Sequence, residues 1–536
     1  MRITISIKNR RKMNIKKCFV SAIAMVAATA LSIQSVDAQG FGKSLLSKAK
    51  SAVTTGSSSS SASSSTPSSS ASSNSSKSSS STEVTSKGKK QASSEMASSS
   101  NAGAGAGVTY YVSMNGGARA NGLSPETPMK DIQKALNKIK ENKEDGATVK
   151  VAEGNYLGSM NAGYIEVSNF ITLEGGYSED FSKRDPQKYI TRIQPTQEQN
   201  GTNGNKALIT MSGLDDVTFE SVVRGTIIID GFCLDHGLQN FYLPAKPDDP
   251  RNGCPSDKFE TGRIVDDGSK QLSHQSIHSD AAVAGNVIIR NCLIANSPFF
   301  GIQFNHRNGK VEIYNNVIIG NRFGGVRIDG WDKTAERCKV DFHHNTVIFS
   351  WCRDKEMGDM GYGYEFMNNI NGDLHHNIFA CNNYAAVART RINSDKKLEA
   401  KKVTNLHHNA FFMNAADLQL PSKGGGKWTN VKCANFEDLE ESLIPEVDGN
   451  FELQSGDPFI QAIDQDYLKG FATLKVVSSQ SFNGNSAANQ FRSAMGMNQQ
   501  GTETIRVSMY GNRYNFDKAM KLFGAKEGYG AQKFSK

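Results

Sequence analysis

The nine-residue phrases IIRNCLIAN (288–296), IYNNVIIGN (313–321), FHHNTVIFS (342–350), LHHNIFACN (374–382) and LHHNAFFMN (406–414) share an Asn in fourth place, at residues 291, 316, 345, 377 and 409. The period is 25 to 32 residues. A repeat of that length, with only short β-type runs in each period, cannot bury its apolar side alone and must stack on its neighbours. The residue three before each Asn is Ile288, Ile313, Phe342, Leu374 or Leu406, and apolar residues follow it closely. Such a pattern describes two short strands meeting at a fixed polar corner. The five Asn then form a ladder in which each amide bonds its neighbours and satisfies the backbone of the bend. Three phrases carry His-His before the Asn, at 343/344, 375/376 and 407/408. Stacked rings explain these columns without a ligand, so no metal site is expected.

The ends differ from the repeat. Arg10, Arg11, Lys12, Lys16 and Lys17 precede an apolar run from Phe19 to Ile33, and Val36-Asp37-Ala38 follows as a small-x-small cleavage pattern. Residues 1–38 therefore read as a signal peptide, too short in its apolar part to span a bilayer. Residues 57–81 hold 19 Ser in 25 positions, and 39–107 read as a disordered Ser-rich linker. The formal charge of +8 falls to about +2 once the first 38 residues are removed. That excludes the basic footprint of a nucleic-acid binder. The chain is expected to be exported: secreted, periplasmic or at a bacterial cell surface, without a membrane span and as a monomer. Seven cysteines follow the signal, at 233, 254, 292, 338, 352, 381 and 433. They lack metal spacing, and Cys292 reads as a core residue.

After Val108, Thr127 and Pro128 open a predicted helix whose apolar face is Ile132, Ala135, Leu136 and Ile139. Short β-type runs follow. The stretches YYVSMNGG (110–117), NGLSPETPMKDIQKAL (121–136), VKVAEGNY (149–156), ITLEGGYSEDFSKRDP (171–186) and GNFELQSGDPFIQAID (449–464) resemble exported bacterial proteins of the pectate-lyase-like superfamily. The resemblance implies an all-β fold, a right-handed parallel β-helix (solenoid) over 108–470, with the helix as an N-terminal cap. Residues 471–536 are expected to form a C-terminal cap with a helix over 515–523 and a loose basic end.

The resemblance also implies that any substrate lies on one outward sheet face. The repeat carries a further strand in GIQFNHRNG (301–309), GGVRIDGWD (324–332) and GYEFMNN (363–369). Ile302/Phe304, Val326/Ile328 and Tyr364/Phe366 should point inward, leaving Gln303, Arg327 and Glu365 outward with Asn305 and Asp329 one step along. His306, Arg307 and Trp331 should stand just beyond, in a turn. Asp329 and Glu365 would be about 7–8 Å apart on sheet geometry, within the range for an inverting glycosidase pair. Alternatively, Arg327, Arg389 or Arg391 would neutralise a uronate, with His306 or His278 as the base of a β-elimination. The candidate catalytic residues are thus Asp329, Glu365 and Arg327. Gln303, Asn305, His306, Arg307 and Trp331 are the candidate binders of polysaccharide. No cofactor is implied beyond a weak calcium candidate at Asp266-Asp267-Gly268. The other reading is a non-enzymatic surface adhesin or structural rod.

Overall fold

The structure, a computed structural model, describes residues 107–157, 164–194, 207–215, 223–236, 275–297, 299–330, 338–350, 361–366, 370–389, 404–421, 428–439, 444–473, 483–499 and 513–535, with three two-residue strands at Phe259–Glu260, Arg263–Ile264 and Lys270–Gln271. The expected signal peptide, the Ser-rich linker, Trp331, Asp266, Asp267 and Arg391 lie outside the described residues. The fold is all-β, with long parallel sheets and few helices. Among the described residues no helix is long and apolar enough to cross a membrane.

The chain visits three sheets in a recurring order. The first contains Asn286–Arg290, the second half of Phe300–Tyr314, Cys338–His343, Asn371–His375 and Thr404–His407, each pairing in parallel with the next. Three-residue strands make the second: Leu293–Ala295, Val317–Ile319, Thr346–Ile348, Ile378–Ala380 and Ala410–Phe412. The third contains the first half of Phe300–Tyr314, then Gly324–Gly330, Tyr362–Phe366, Ala385–Arg389 and Ala416–Pro421. Every second residue of the long strands faces one shared core. Ile289, Ile313, Phe342, Leu374 and Leu406 meet Ile302, Phe304, Val326, Ile328 and Tyr364 there, all at most 1% exposed. The expected inward set of the third sheet is therefore found wherever its side chains are described.

The corner between the first and second sheets shows why the stack holds its register. One residue at each bend is left-handed: Asn291, Asn315, His344, His376 and His408 have φ between 51° and 56°. Asn and His tolerate this region better than most residues. Gly176, Gly231 and Gly449 occupy positive φ at the outer bends. The next residue is the ladder. The Asn345 backbone N–H donates to Asn377 Oδ1 at 2.9 Å, and Asn377 donates likewise to Asn409 at 3.0 Å. Asn409 donates to Asn450 Oδ1 at 2.9 Å. Each buried amide also donates Nδ2 to a strand carbonyl, as Asn377 does to Phe342 O at 2.8 Å.

Two expectations about this corner change. Asn291 is not on the ladder: register pairs Arg290 with Tyr314, so Asn291 sits at the left-handed position and Cys292 N–H donates to Asn316 Oδ1 at 2.9 Å. Ile288 consequently faces outward, and Ile289 fills the core. A second ladder also exists at the next corner. Ser297, Ser350 and Asn382 donate their backbone N–H groups to Asn321, Asn382 and Asn414 at 2.9, 3.3 and 3.0 Å.

The helix spans Ile132–Asn142 and is capped by Asp131, whose carboxylate accepts from Gln133 and Lys134 N–H. Thr127 does not cap it, because Met129 still forms β-bridges to Val112 and Gly117 and keeps the chain extended. Its apolar face, Ile132, Ala135, Leu136 and Ile139, joins the core cluster.

The C-terminal segment is neither confined to an end of the stack nor loose where it is described. Phe459, Ile460, Leu468, Phe471, Phe491 and Leu522 cluster with Leu293, Val317, Ile319, Ile348, Ile378 and Phe412 of the second sheet. That sheet is thus apolar on both faces. Two of its basic residues are paired: Lys518 with Asp464 at 2.7 Å and Lys526 with Asp457 at 2.6 Å. The expected helix reduces to Phe516–Met520, with Asn515 as its N-cap.

Asn377→Ala strips a buried acceptor from Asn345 and a donor from Phe342 O. It should cost about 3 kcal/mol, read from urea unfolding, whereas Asn371→Ala, half-buried at the start of the same repeat, should stay within about 0.5 kcal/mol.

Candidate functional site

Parallel pairing without a register slip turns sequence positions into columns. On the outward face of the third sheet one column runs Glu166, Thr210, His278, Gln303, Arg327, Glu365 and Ala388. Neighbours in it are about 4.8 Å apart, the strand spacing. Asn305 and Asp329 pair two residues further along. The expected grouping of Gln303, Arg327, Glu365, Asn305 and Asp329 on one face therefore exists.

Arg327 and Glu365 form an ion pair, Nε to Oε2, at 3.8 Å, with 19% and 6% of their side chains exposed. The Arg327 guanidinium lies 5.7 Å from the Phe300 ring centroid. Glu365 is buried although its strand turns it outward. Gln303 accepts from Gln275 Nε2 through its side chain at 2.7 Å, while its backbone carbonyl accepts from His278 Nδ1 at 3.0 Å. Burial lowers the pKa of His278, against the opposing pull of the Gln303 bond and of Asp280. A neutral ring that donates through Nδ1 leaves the Nε2 lone pair available as a base.

The other candidates divide. Arg307 alternates onto the same outward face and is half-buried. His306 does not belong there. No turn follows Asn305: the strand continues from Phe300 to Tyr314, and alternation points the ring inward, where it is fully buried with Nε2 2.9 Å from Gly285 O. Its Nδ1 finds no hydrogen-bond partner among the described residues. Arg389 also leaves the column, since Ala388 pairs with Glu365 and Arg389 pairs with Phe366. His278 takes the place that His306 was expected to share. Its signal was the alternation in SIHSD, which the long excursion before it obscured.

The histidine columns are stacked rings. His343, His375 and His407 stack at 5.0 and 5.2 Å, and His344, His376 and His408 at 5.1 and 5.4 Å. Within each bend the two Nδ1 atoms lie 2.9 to 3.0 Å apart, so one ring donates to the other. His375 and His407 turn Nε2 to Asp341 and Asp373 at 3.3 and 3.0 Å. Among the described residues no group of three or more His, Cys, Asp or Glu is placed to hold a metal ion.

No family model matches the chain, and no curated protein matches it. Among solved structures it is similar to the complex of XylC with xylose, at 12% identity over 60% of this chain and 73% of that one, with a TM-score of 0.26.

Burial holds His306 near a pKa of about 4, below the 6.5 of a free ring. A lowered histidine pKa contributes stability that is whole above 6.5 and is lost as pH falls toward 4. The loss reaches about 3 kcal/mol. His306→Gln keeps a donor for Gly285 O without titrating, so its urea midpoint should fall less than wild type between neutral pH and the acid end of that window.

Proposed function

We propose that the chain is an exported right-handed parallel β-helix of the pectate-lyase-like kind, with the Ile132–Asn142 helix closing its first rung, and that it binds and hydrolyses a polysaccharide along the third sheet. The observation that carries this reading is the column from His278 through Gln303 and Arg327 to Glu365, with Asn305 and Asp329 beside it. An array of carboxylate, guanidinium and amide groups at about 4.8 Å intervals suits the repeating hydroxyl groups of a glycan. Asp329 lies diagonal to Glu365 across one strand spacing, which gives about 7–8 Å between carboxyl groups, the separation that admits a water for inverting hydrolysis. Glu365 and Asp329 supply the acid and the base between them. Arg327 already matches the charge of Glu365. That favours hydrolysis over elimination, where an arginine must be free to neutralise the substrate carboxylate. The protein acts as a monomer.

The test is a polysaccharide panel on the purified chain, scoring new reducing ends and the ultraviolet absorbance of unsaturated uronates. Reducing ends without that absorbance are expected, and Glu365→Gln or Asp329→Asn should lower the rate about a hundredfold or more. Activity that survives both changes together contradicts the assignment. Tight glycan retention without turnover would replace the enzyme by an adhesin on the same face.

A further inference from the structure

A hollow of about 550 Å³ lies at the corner of the first and second sheets, where the C-terminal strap of residues 532–535 forms one wall. Its residues are separate from the third-sheet column, and the inference does not depend on that reading. The volume falls within the range of small-molecule sites. At its base Asp230, wholly buried, receives Arg290 Nε at 2.7 Å and Arg184 at 2.7 Å, with Asn291 Nδ2 also at 2.7 Å. Two guanidinium groups on one carboxylate leave a surplus positive charge, and Lys533 adds another from the strap. Among the described residues the lining holds no second carboxylate. Arg184 also lies over the Tyr177 and Phe534 rings, and Arg290 over Tyr314, so both guanidinium groups are fixed in place.

The remaining wall combines ring surface from Tyr314, His343 and Phe534 with polar edges. Tyr314 stacks on His343 at 4.9 Å with planes 8° apart. Rings stacked face to face along the rungs present their edges to the hollow. The Tyr314 hydroxyl accepts from Arg290 at 2.7 Å. Burial lowers the His343 pKa to about 4, so at neutral pH its edge offers hydrogen bonding without charge. The strap is fixed before any ligand arrives. Gly530 N–H donates to His376 O at 2.8 Å, Ala531 N–H to Thr346 Oγ1 at 3.0 Å and Gln532 N–H to Asn315 Oδ1 at 2.5 Å. Gln187 Nε2 holds Gln532 O at 3.0 Å.

We infer that this hollow binds an acidic sugar unit, its carboxylate or sulfate seated among Arg184, Arg290 and Lys533 and its hydroxyl groups read by the edge of His343. The site is preorganised: Arg184 and Arg290 are held by Asp230, and the strap by Thr346, Asn315 and Gln187, so binding orders little.

Titration calorimetry on the full chain tests this with glucuronic acid, galacturonic acid, N-acetylglucosamine 6-sulfate, galactose and inorganic sulfate. Acidic sugars should bind and galactose should not. Added salt should weaken binding, and Lys533→Glu, an exposed change that leaves the fold intact, should raise Kd about tenfold or more, or about 1.4 kcal/mol. The pair Arg327→Ala and Glu365→Ala should leave Kd unchanged. No binding of any acidic sugar overturns the inference, as does binding indifferent to Lys533→Glu. Inorganic sulfate binding as tightly as the sugars reduces the site to a free oxyanion and overturns the saccharide part. Loss of binding in the Arg327/Glu365 pair relocates it to the third sheet.

Discussion

The hydrogen bond from a corner backbone N–H to the asparagine of the next rung is the constraint on which the molecule rests. Each bend forces one residue into left-handed backbone, at about 1–2 kcal/mol for a residue other than glycine, and leaves buried donors and acceptors to satisfy. A side-chain amide is one of the few groups that can do both at once. Its Oδ1 accepts from the preceding rung while its Nδ2 reaches a carbonyl further back, as Asn345 does to Ile313 O at 2.7 Å. Because every rung repeats the bond, a slip of one residue in any strand would break it and also turn the core face outward.

Fixed register is what converts a linear sequence into surfaces with chemistry. The second sheet is apolar outside as well as inside, and the C-terminal helices cover it. The first presents stacked rings and paired charges, from Asp230 and Arg290 through Tyr314 to the histidines. The third presents amides, an arginine and carboxyl groups. Neither polar face needs a special local fold. Each follows from which residue type stands at a given offset from the corner.

Much of this was legible before the structure. The period, the inward set of Ile302, Phe304, Val326, Ile328 and Tyr364, and the outward neighbours Gln303, Arg327 and Glu365 follow from alternation and spacing alone. Asn291 misled because a left-handed asparagine and a ladder asparagine look alike in sequence. Only the register of Arg290 against Tyr314 separates them. The second ladder was written as a second Asn five residues after the first, at 316/321, 377/382 and 409/414. His306 was misplaced because a charged, glycine-containing stretch, HRNG, reads as a turn, whereas pairing on both sides keeps it in a strand that bends only at Gly309, with φ 99°. The strap's place at the corner had no local signal, since its corner partners are distant in the chain, with Gln532 217 residues from Asn315.

Hydrogen exchange at single-residue resolution tests the ladder most directly. The backbone amides of Asn345, Asn377 and Asn409, which donate only to side chains, should exchange no faster than the core amides of Phe342 and Leu374, through unfolding of the whole stack. Exchange of those three at the rate of exposed turns would contradict the account, because the bends would then be held by something other than stacked amides.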